Sequence, residues 1–452
     1  MNIIIIGCGK VGTTLADQLV KEAHNVTMID TSAEALEKFP DEIDAIRMEG
    51  NGASIEVLKE AGLDNCDVLI AVTASDELNL LCCLIARKAG HCHTIARVRN
   101  PIYGDELDFI KEQMEVSMVI NPEMAAAAEI SRVLRFPSAI EIDPFARGRV
   151  EMLKFKVQPE FEIAGMSVMD IAAKYPLNVL ICGVERGDEV TIPGGRFVIE
   201  AGDKVSIIGS PQGSQELFRM IGLNTNQVKN TLIVGGGTTG YYLARYLRSM
   251  KIQVKIIEKD RKRCEELSEI FDDVMVIHAD GTDRSVLIEE GIATAESFVA
   301  LTNLDEENVF LSLYAKNVSK AKLVTKINRF TFDELIGKMD LGTLIYPKFI
   351  TADYILQYVR AMQNSIGSNV ENLYRILDSK AEALEFIIRE ESAVTGVPLH
   401  EMTLKNNLLV ASIVRDGKTL IPRGNDSLQV GDKVIIVTTH KGLHDITDIQ
   451  RG

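Results

Sequence analysis

The sequence predicts an α/β protein: two doubly wound parallel sheets, each followed by a small α+β domain, in tandem duplication. Two observations carry this. First, the second half of the 452-residue chain repeats the first. Asn2, Ile3–Ile6 and Gly7-Cys8-Gly9-Lys10-Val11-Gly12 return as Asn230, Thr231-Leu232-Ile233-Val234 and Gly235-Gly236-Gly237-Thr238-Thr239-Gly240. Val26–Asp30 returns as Val254–Glu258, and the offset is 228 at both ends (235 − 7 and 258 − 30). Second, each glycine loop follows an apolar strand, and each is followed 18 residues later by a carboxylate (30 − 12 and 258 − 240). A single G-x-G-x-x-G says little, but two in register point to paired Rossmann-type nucleotide sites. In such a loop the first glycine turns, the second admits the pyrophosphate and the third packs helix on strand. The helix N-terminus then faces the phosphates.

The elements follow in order. Asn2–Ile6 is a continuous apolar run and predicts a buried strand. Residues 13–22 predict a helix with Leu15, Leu19 and Val20 on one face. Strands are predicted at 26–30, 45–48, 68–73, 94–98 and 116–120, with a helix at 78–88 between the fourth and fifth. This alternation implies a parallel sheet. The second copy matches it with strands at 274–277, 298–302 and 324–327. Long helices are expected after Pro122 and Pro347, since proline at a helix start has no N–H to leave unpaired. Their apolar residues Ile130, Val133, Leu134, Ile355, Tyr358 and Val359 suit packing against other domains, or ordinary core packing.

Beyond about Pro144 the pattern changes to hairpins. Residues 184–190 read as strand, turn, strand, and so do 413–419, where Asp416-Gly417 is a strong hairpin signal. Gly202-Asp203-Lys204-Val205 and Gly431-Asp432-Lys433-Val434 share an offset of 229. Four domains are expected: Rossmann-like regions at 1–122 and 228–347, and small α+β regulatory regions at 140–224 and 368–452. The polar stretch Asn224-Thr225-Asn226-Gln227-Val228 is taken as the join.

Composition narrows the function classes. A net charge of −16 argues against nucleic acid and against anionic lipid as direct partners. No apolar run approaches the roughly 18 residues needed to span a bilayer, and Ile3–Ile6 is too short for a signal-peptide core. Neither membrane insertion nor secretion is expected, and the chain should stay in the cytoplasm. Seven cysteines at irregular spacing fit a reduced compartment rather than a disulfide framework.

Several residues suggest ligand chemistry. Asp30 and Glu258 end the second strands, where a carboxylate accepts the ribose hydroxyls; capping a loop is the plainer alternative, weaker for Asp30. Thr31 rather than arginine follows Asp30, which favours NAD over NADP at the first site. Lys259 and Arg261 leave the second site more open. Lys10, where copy two has Thr238, either reaches phosphate or is simply solvated. Asn51, within Gly50-Asn51-Gly52, and Asp280 close the third strands beside the adenine position, where a tight turn is an equally good reading. Thr73 and Ala74, with Thr302 in copy two, end the fourth strands at the ligand edge. Arg97, and Lys326 in copy two, place cations where pyrophosphate lies; Arg99 suits that role or a surface ion pair. Cys82 and Cys83 sit in an apolar helical run, so core packing is favoured over zinc despite nearby His91, Cys92 and His93. His24, His278, His400, His440 and His444 are scattered, and no nucleophile–base arrangement is evident. The chain is therefore expected not to be an enzyme, with an NAD-dependent oxidoreductase as the alternative and a stand-alone nucleotide sensor as a third reading.

The domain order, together with Gly7–Gly12, Asp30, Gly50-Asn51-Gly52, Ala71-Val72-Thr73 and Ala96-Arg97-Val98, resembles the peripheral subunits of Trk-type potassium uptake systems, built from tandem regulators of potassium conductance. The resemblance covers essentially the whole chain. It assigns Gly7–Val11 to the dinucleotide loop, Asp30 to ribose, Thr73 and Ala74 to the ligand's side and Arg97 to phosphate. It implies NAD+ or NADH as ligand, with ATP or ADP as competitors. It also implies a homo-oligomeric ring, peripheral on the inner face of the cell membrane, under a TrkH- or TrkG-like integral membrane potassium-translocating subunit. Copy two departs at Gly236, Thr238, Glu258 and Lys326, which leaves its ligand open.

Overall fold

The computed structural model describes residues 1–452 apart from 105, 137–139, 147–148, 176–177, 188, 224–226, 329–335, 337–338, 340, 366–369, 378–379, 441–442, 444 and 452. Asp188 of the first hairpin, Asn224, Thr225 and Asn226 of the expected join, and His444 thus lie outside the described residues.

In chain order the first half runs β1 (Asn2–Ile6), α1 (Lys10–Lys21), β2 (Asn25–Asp30), α2 (Ala33–Glu37), β3 (Ile46–Glu49), α3 (Ile55–Glu60), β4 (Val68–Ala71), α4 (Asp76–Gly90), β5 (His93–Arg97), α5 (Leu107–Gln113), β6 (Met118–Ile120) and α6 (Pro122–Arg135). Its small module holds β7 (Glu141–Phe145), β8 (Val150–Lys156), α7 (Val168–Lys174), β9 (Val179–Arg186), β10 (Glu189–Thr191), β11 (Lys204–Gly209) and α8 (Pro211–Met220). The second half follows with β12 (Asn230–Val234), α9 (Thr238–Ser249), β13 (Gln253–Glu258), α10 (Arg261–Ile270), β14 (Met275–His278), α11 (Arg284–Glu289), β15 (Ser297–Ala300), α12 (Asp305–Val318), β16 (Lys322–Lys326), β17 (Thr343–Ile345) and α13 (Pro347–Ser365). It closes with β18 (Val370–Ile376), β19 (Ala381–Ile387), β20 (Leu408–Arg415), β21 (Lys418–Leu420) and β22 (Lys433–Thr438).

These elements form two compact units, each drawn from both halves: Met1–Ser131 with Val228–Leu356, and Arg132–Gln227 with Gln357–Gly452. A repeat that is linear in sequence thus becomes copy paired with copy in space.

The first unit holds two six-stranded parallel sheets, ordered β3-β2-β1-β4-β5-β6 and β14-β13-β12-β15-β16-β17. Strands β1 and β4 are buried along nearly their whole length, which is why they read as unbroken apolar runs. The order reverses at β1 and β4 in one sheet and at β12 and β15 in the other. A crevice opens there at the strands' carboxyl ends. Both glycine loops sit at these points. Strand ends differ from expectation by at most two residues, and the short helices α2 and α3, of five and six residues, carry too little periodicity to be read from the sequence.

The second unit holds two five-stranded antiparallel sheets, β10-β9-β11-β8-β7 and β21-β20-β22-β19-β18. Each has its own core; Phe155 and Phe218 meet edge to face at 5.1 Å in the first. A third cluster joins the copies, with Phe145, Val150, Met152 and Cys182 from one against Leu377, Ala383, Ala411 and Val437 from the other. The Asp416-Gly417 turn takes φ of 48° and 76°, as a tight hairpin requires. On the long helices, Ile130, Val133, Leu134, Ile355 and Val359 are buried within this chain. Core packing accounts for these five, while Tyr358 is half-buried. Among the described residues no helix is long and apolar enough to cross a membrane.

Candidate functional site

The site starts from three glycines in each copy. Gly7 has φ of +108° and Gly235 of +109°, a backbone that side chains rarely adopt, and each donates its N–H to the second strand, at Ile29 and Ile257. A Cβ on Gly12 would lie 2.0 Å from the Gly7 carbonyl oxygen, and one on Gly240 would lie 2.5 Å from that of Gly235. These two are forced by helix-on-strand packing. Gly9 and Gly237 differ: a Cβ there meets nothing within 4 Å. They are also the N-caps of α1 and α9, and neither helix has a side-chain cap or an acid in its first turn. By comparison, Ser75 caps α4 and Ser210 caps α8. The N–H groups and positive ends of α1 and α9 are thus left facing open space, which suits an anion. Lys10 is exposed, Val11 and Thr238 are half-buried, and Thr239 is buried.

The acids lock the loops. One Asp30 oxygen accepts the Cys8 N–H at 2.7 Å and the other that of Ser32 at 2.9 Å. Glu258 repeats this with Gly236 at 2.6 Å and Asp260 at 2.8 Å. Both carboxylates therefore cap loops and still stand at the ends of β2 and β13, where ribose is expected. Burial, and then the charge of Asp30, push the Cys8 thiol up, so it stays neutral. Asn51 is exposed, and its Oδ1 accepts the N–H of Ala53. Asp280 likewise accepts from Thr282 and pairs with Lys259 at 2.6 Å. Its carboxyl is held far below the usual range by that lysine and by Thr282.

A buried amide organises the third side. Asn79 Oδ1 accepts from the Thr73 N–H at 2.8 Å and from its hydroxyl at 2.7 Å; its Nδ2 donates to the Arg97 carbonyl at 2.8 Å. Asn308 does the same with Thr302 and the Lys326 carbonyl. One residue thus ties the end of β4 to the end of β5. The sequence reading passed over both asparagines; the available signal was the same asparagine as the fourth residue of two corresponding helices. Ala74 is exposed beside Thr73. The Arg97 guanidinium donates to the Thr73 carbonyl at 3.3 Å, while its Nε is buried with no hydrogen-bond partner among the described residues. Burial, and then Arg99, push it down from its ordinary value. A phosphate oxygen would satisfy it.

Residues of the two copies meet beside Arg99 and Lys326. Arg99 lies 3.7 Å from Glu123, so it does serve an ion pair. Burial pushes Glu123 up, against the pull of Arg99 and Arg97. Burial pushes Lys326 of copy two down, against the pull of Asp305 and the same Glu123. Asn121, 2% exposed, donates to the Tyr242 hydroxyl of copy two at 3.0 Å. Burial pushes that phenol up to about 12. None of Glu123, Asn121 and Tyr242 was anticipated as part of the site, because their roles arise only when one copy meets the other.

Cys82 and Cys83 are fully buried in α4. No group of three or more His, Cys, Asp or Glu able to hold a metal ion occurs among the described residues.

The TrkA-N domain family matches residues 3–122 and 231–347, and the TrkA-C domain family matches 152–222 and 383–451. Full-length relatives include the Trk system potassium uptake protein TrkA homolog 1 of Methanosarcina mazei, 33% identical over 99% of both chains. The Trk system potassium uptake protein TrkA of Halomonas elongata is 31% identical over 100% of this chain and 98% of its own. In fold, the chain is similar to the GsuK RCK domain, with a TM-score of 0.64 at 17% identity over 97% of this chain and 92% of that one. It is also similar to the GsuK channel bound to NAD, with a TM-score of 0.65 at 18% identity, covering 97% and 77%. Matched in both halves by the TrkA domain families and end to end by such relatives, the chain belongs to the TrkA family of Trk system potassium uptake proteins.

Proposed function

We propose that this chain senses NAD+ or NADH, with ATP or ADP as competitors, and gates a membrane potassium-translocating subunit from its cytoplasmic face as a homo-oligomeric ring. Family membership makes it a regulatory potassium-uptake protein and removes the NAD-dependent oxidoreductase alternative. The observation that carries the nucleotide reading is the pair of uncapped helix N-termini at Gly9 and Gly237, each with open space before it. GsuK, which shares the fold, is described bound to NAD and to ADP.

The residues present fit a dinucleotide. The first turn of α1 and the orphaned Nε of Arg97 would hold the pyrophosphate. Asp30, oriented by Cys8 and Ser32, would accept from the ribose hydroxyls. A ligand shifts a conformational balance only by binding one state better than another. Closure on the nucleotide would bring α1 toward the carboxyl ends of β2 and β5, and the helices beginning at Pro122 and Pro347 follow directly on the last strands of the two sheets, β6 and β17.

Titration calorimetry with NADH and NADPH tests the reading. NADH should bind more tightly at the first site, because a 2′-phosphate would face Asp30 with Thr31 beside it rather than a cation. Equal or tighter binding of NADPH would overturn that choice of ligand.

A further inference from the structure

The joint between the copies is not symmetric. Tyr242 stands in α9 where copy one has Thr14 in α1, at the same offset of 228 (242 − 14). Thr14 turns its hydroxyl back onto the Lys10 carbonyl of its own helix at 2.8 Å. Tyr242 instead reaches into copy one, and it is among the largest fully buried side chains. It lies one helical turn beyond Thr238, on the helix whose N-terminus faces the second pocket.

Its partner is Asn121, the residue just before α6. Asn121 Oδ1 accepts the N–H of Met124 at 2.8 Å, and the Asn121 carbonyl accepts that of Ala125 at 2.9 Å. Asn121 Nδ2 is divided between the Arg99 carbonyl at 3.2 Å and the Tyr242 hydroxyl at 3.0 Å. On its other side, a Cβ on Gly104 would lie 3.2 Å from that hydroxyl. Tyr242 is thus held among copy-one atoms, and a shift of α9 along its axis would strain or break its bond to Asn121.

We infer that Tyr242 is a positioning residue through which a nucleotide in the second pocket sets the start of α6 in the first copy. The wiring is crossed: the pocket built by one copy acts on the outgoing helix of the other, and α6 then carries the chain into the second unit. This rests on the nucleotide reading above. Its physical content is that α9 has two positions, ligand-bound and free, and that only the bonded hydroxyl transmits the difference.

The test uses the full chain with Gly9→Asp, which closes the first loop so that only the second pocket takes ligand. Hydrogen exchange is followed at Met124 and Ala125 with and without ADP, and again with NADH, while calorimetry records binding. Nucleotide should slow exchange at both amides, and adding Tyr242→Phe should remove that slowing while binding persists. If Tyr242→Phe does not fold, Asn121→Ser makes the same test. Serine keeps an N-cap acceptor for α6 but is too short to reach Tyr242. Slowing that survives loss of the Tyr242–Asn121 bond overturns the inference alone. Failure of ADP and NADH to bind the Gly9→Asp chain overturns it together with the reading of the second pocket as a nucleotide site, whereas the first-site reading falls only if the unmutated chain binds neither.

Discussion

One methyl group separates the roles of the loop glycines. Gly12→Ala would drive a Cβ into the Gly7 carbonyl at 2.0 Å, and overpacking of this kind costs about 1–3 kcal/mol or more. Thermal denaturation should show a clear loss for Gly12→Ala and a smaller one for Gly240→Ala, whose Cβ has 2.5 Å. Gly9→Asp should behave oppositely. Its backbone is extended, its Cβ is unobstructed, and aspartate at an N-cap is worth a few tenths of a kcal/mol over glycine. Stability should hold or rise slightly while first-site binding is lost, because the new carboxylate lies where phosphate would. Wild-type affinity in that variant would count against the site. Asp30→Ala should weaken NADH by about 1.5–3 kcal/mol in calorimetry, the scale for a hydrogen bond to a charged group. Asn79→Ala should lower unfolding free energy by about 1–3 kcal/mol, since it strands the Thr73 N–H and the Arg97 carbonyl in the interior. The glycines and acids were legible from spacing alone. Asn79 and Asn308 were not, because a polar residue in an acidic first turn of a helix looks like any solvated one until β4 and β5 place two backbone ends around it.

At the level of elements, each small module closes on an arginine. Arg186 on β9 makes two bonds of 2.8 Å to Asp203 at the start of β11, and Arg415 does the same to Asp432 at 2.8 and 2.7 Å. The shared Gly-Asp-Lys-Val motif marked the place; the arginine could be found only once the strands were paired. Burial pushes the Asp203 carboxyl up, but the Arg186 guanidinium and the Glu200 N–H outweigh it and hold it below its ordinary 3.8. A depressed carboxylate stabilises the fold above the unfolded value and ceases to as pH falls through the folded one. Stability should therefore decline with acid below about pH 4, and Asp203→Asn should flatten that decline. The effect should be modest, because the Arg186 side chain is 42% exposed. Urea denaturation across that range measures it, and an unchanged acid slope in Asp203→Asn would contradict the assignment. Strands and the Asp416-Gly417 hairpin were readable because period and turn chemistry are local. Helices α2 and α3 escaped because five or six residues carry too little periodicity.

On the largest scale, duplication was plain in the sequence but its spatial consequence was not. Rossmann copy pairs with Rossmann copy and small module with small module, rather than each with its neighbour in sequence. The apolar cluster shared by the small modules supplies the physical reason for one pairing, and Tyr242 against Asn121 supplies part of the other. The two proposed pockets differ in their residues: Lys10 and Arg97 in the first correspond to Thr238 and Lys326 in the second. Gly9→Asp and Gly237→Asp should consequently leave different nucleotide profiles in calorimetry, and indistinguishable profiles would contradict the inequality. On the proposed function, nucleotide binding to this chain changes potassium flux. Potassium flux into vesicles containing the cognate membrane subunit, with this chain added and NADH varied, tests that. Flux should change with NADH only when the chain is present, and Arg97→Ala should blunt the response. Flux indifferent to both the chain and the nucleotide would contradict the proposed gating role.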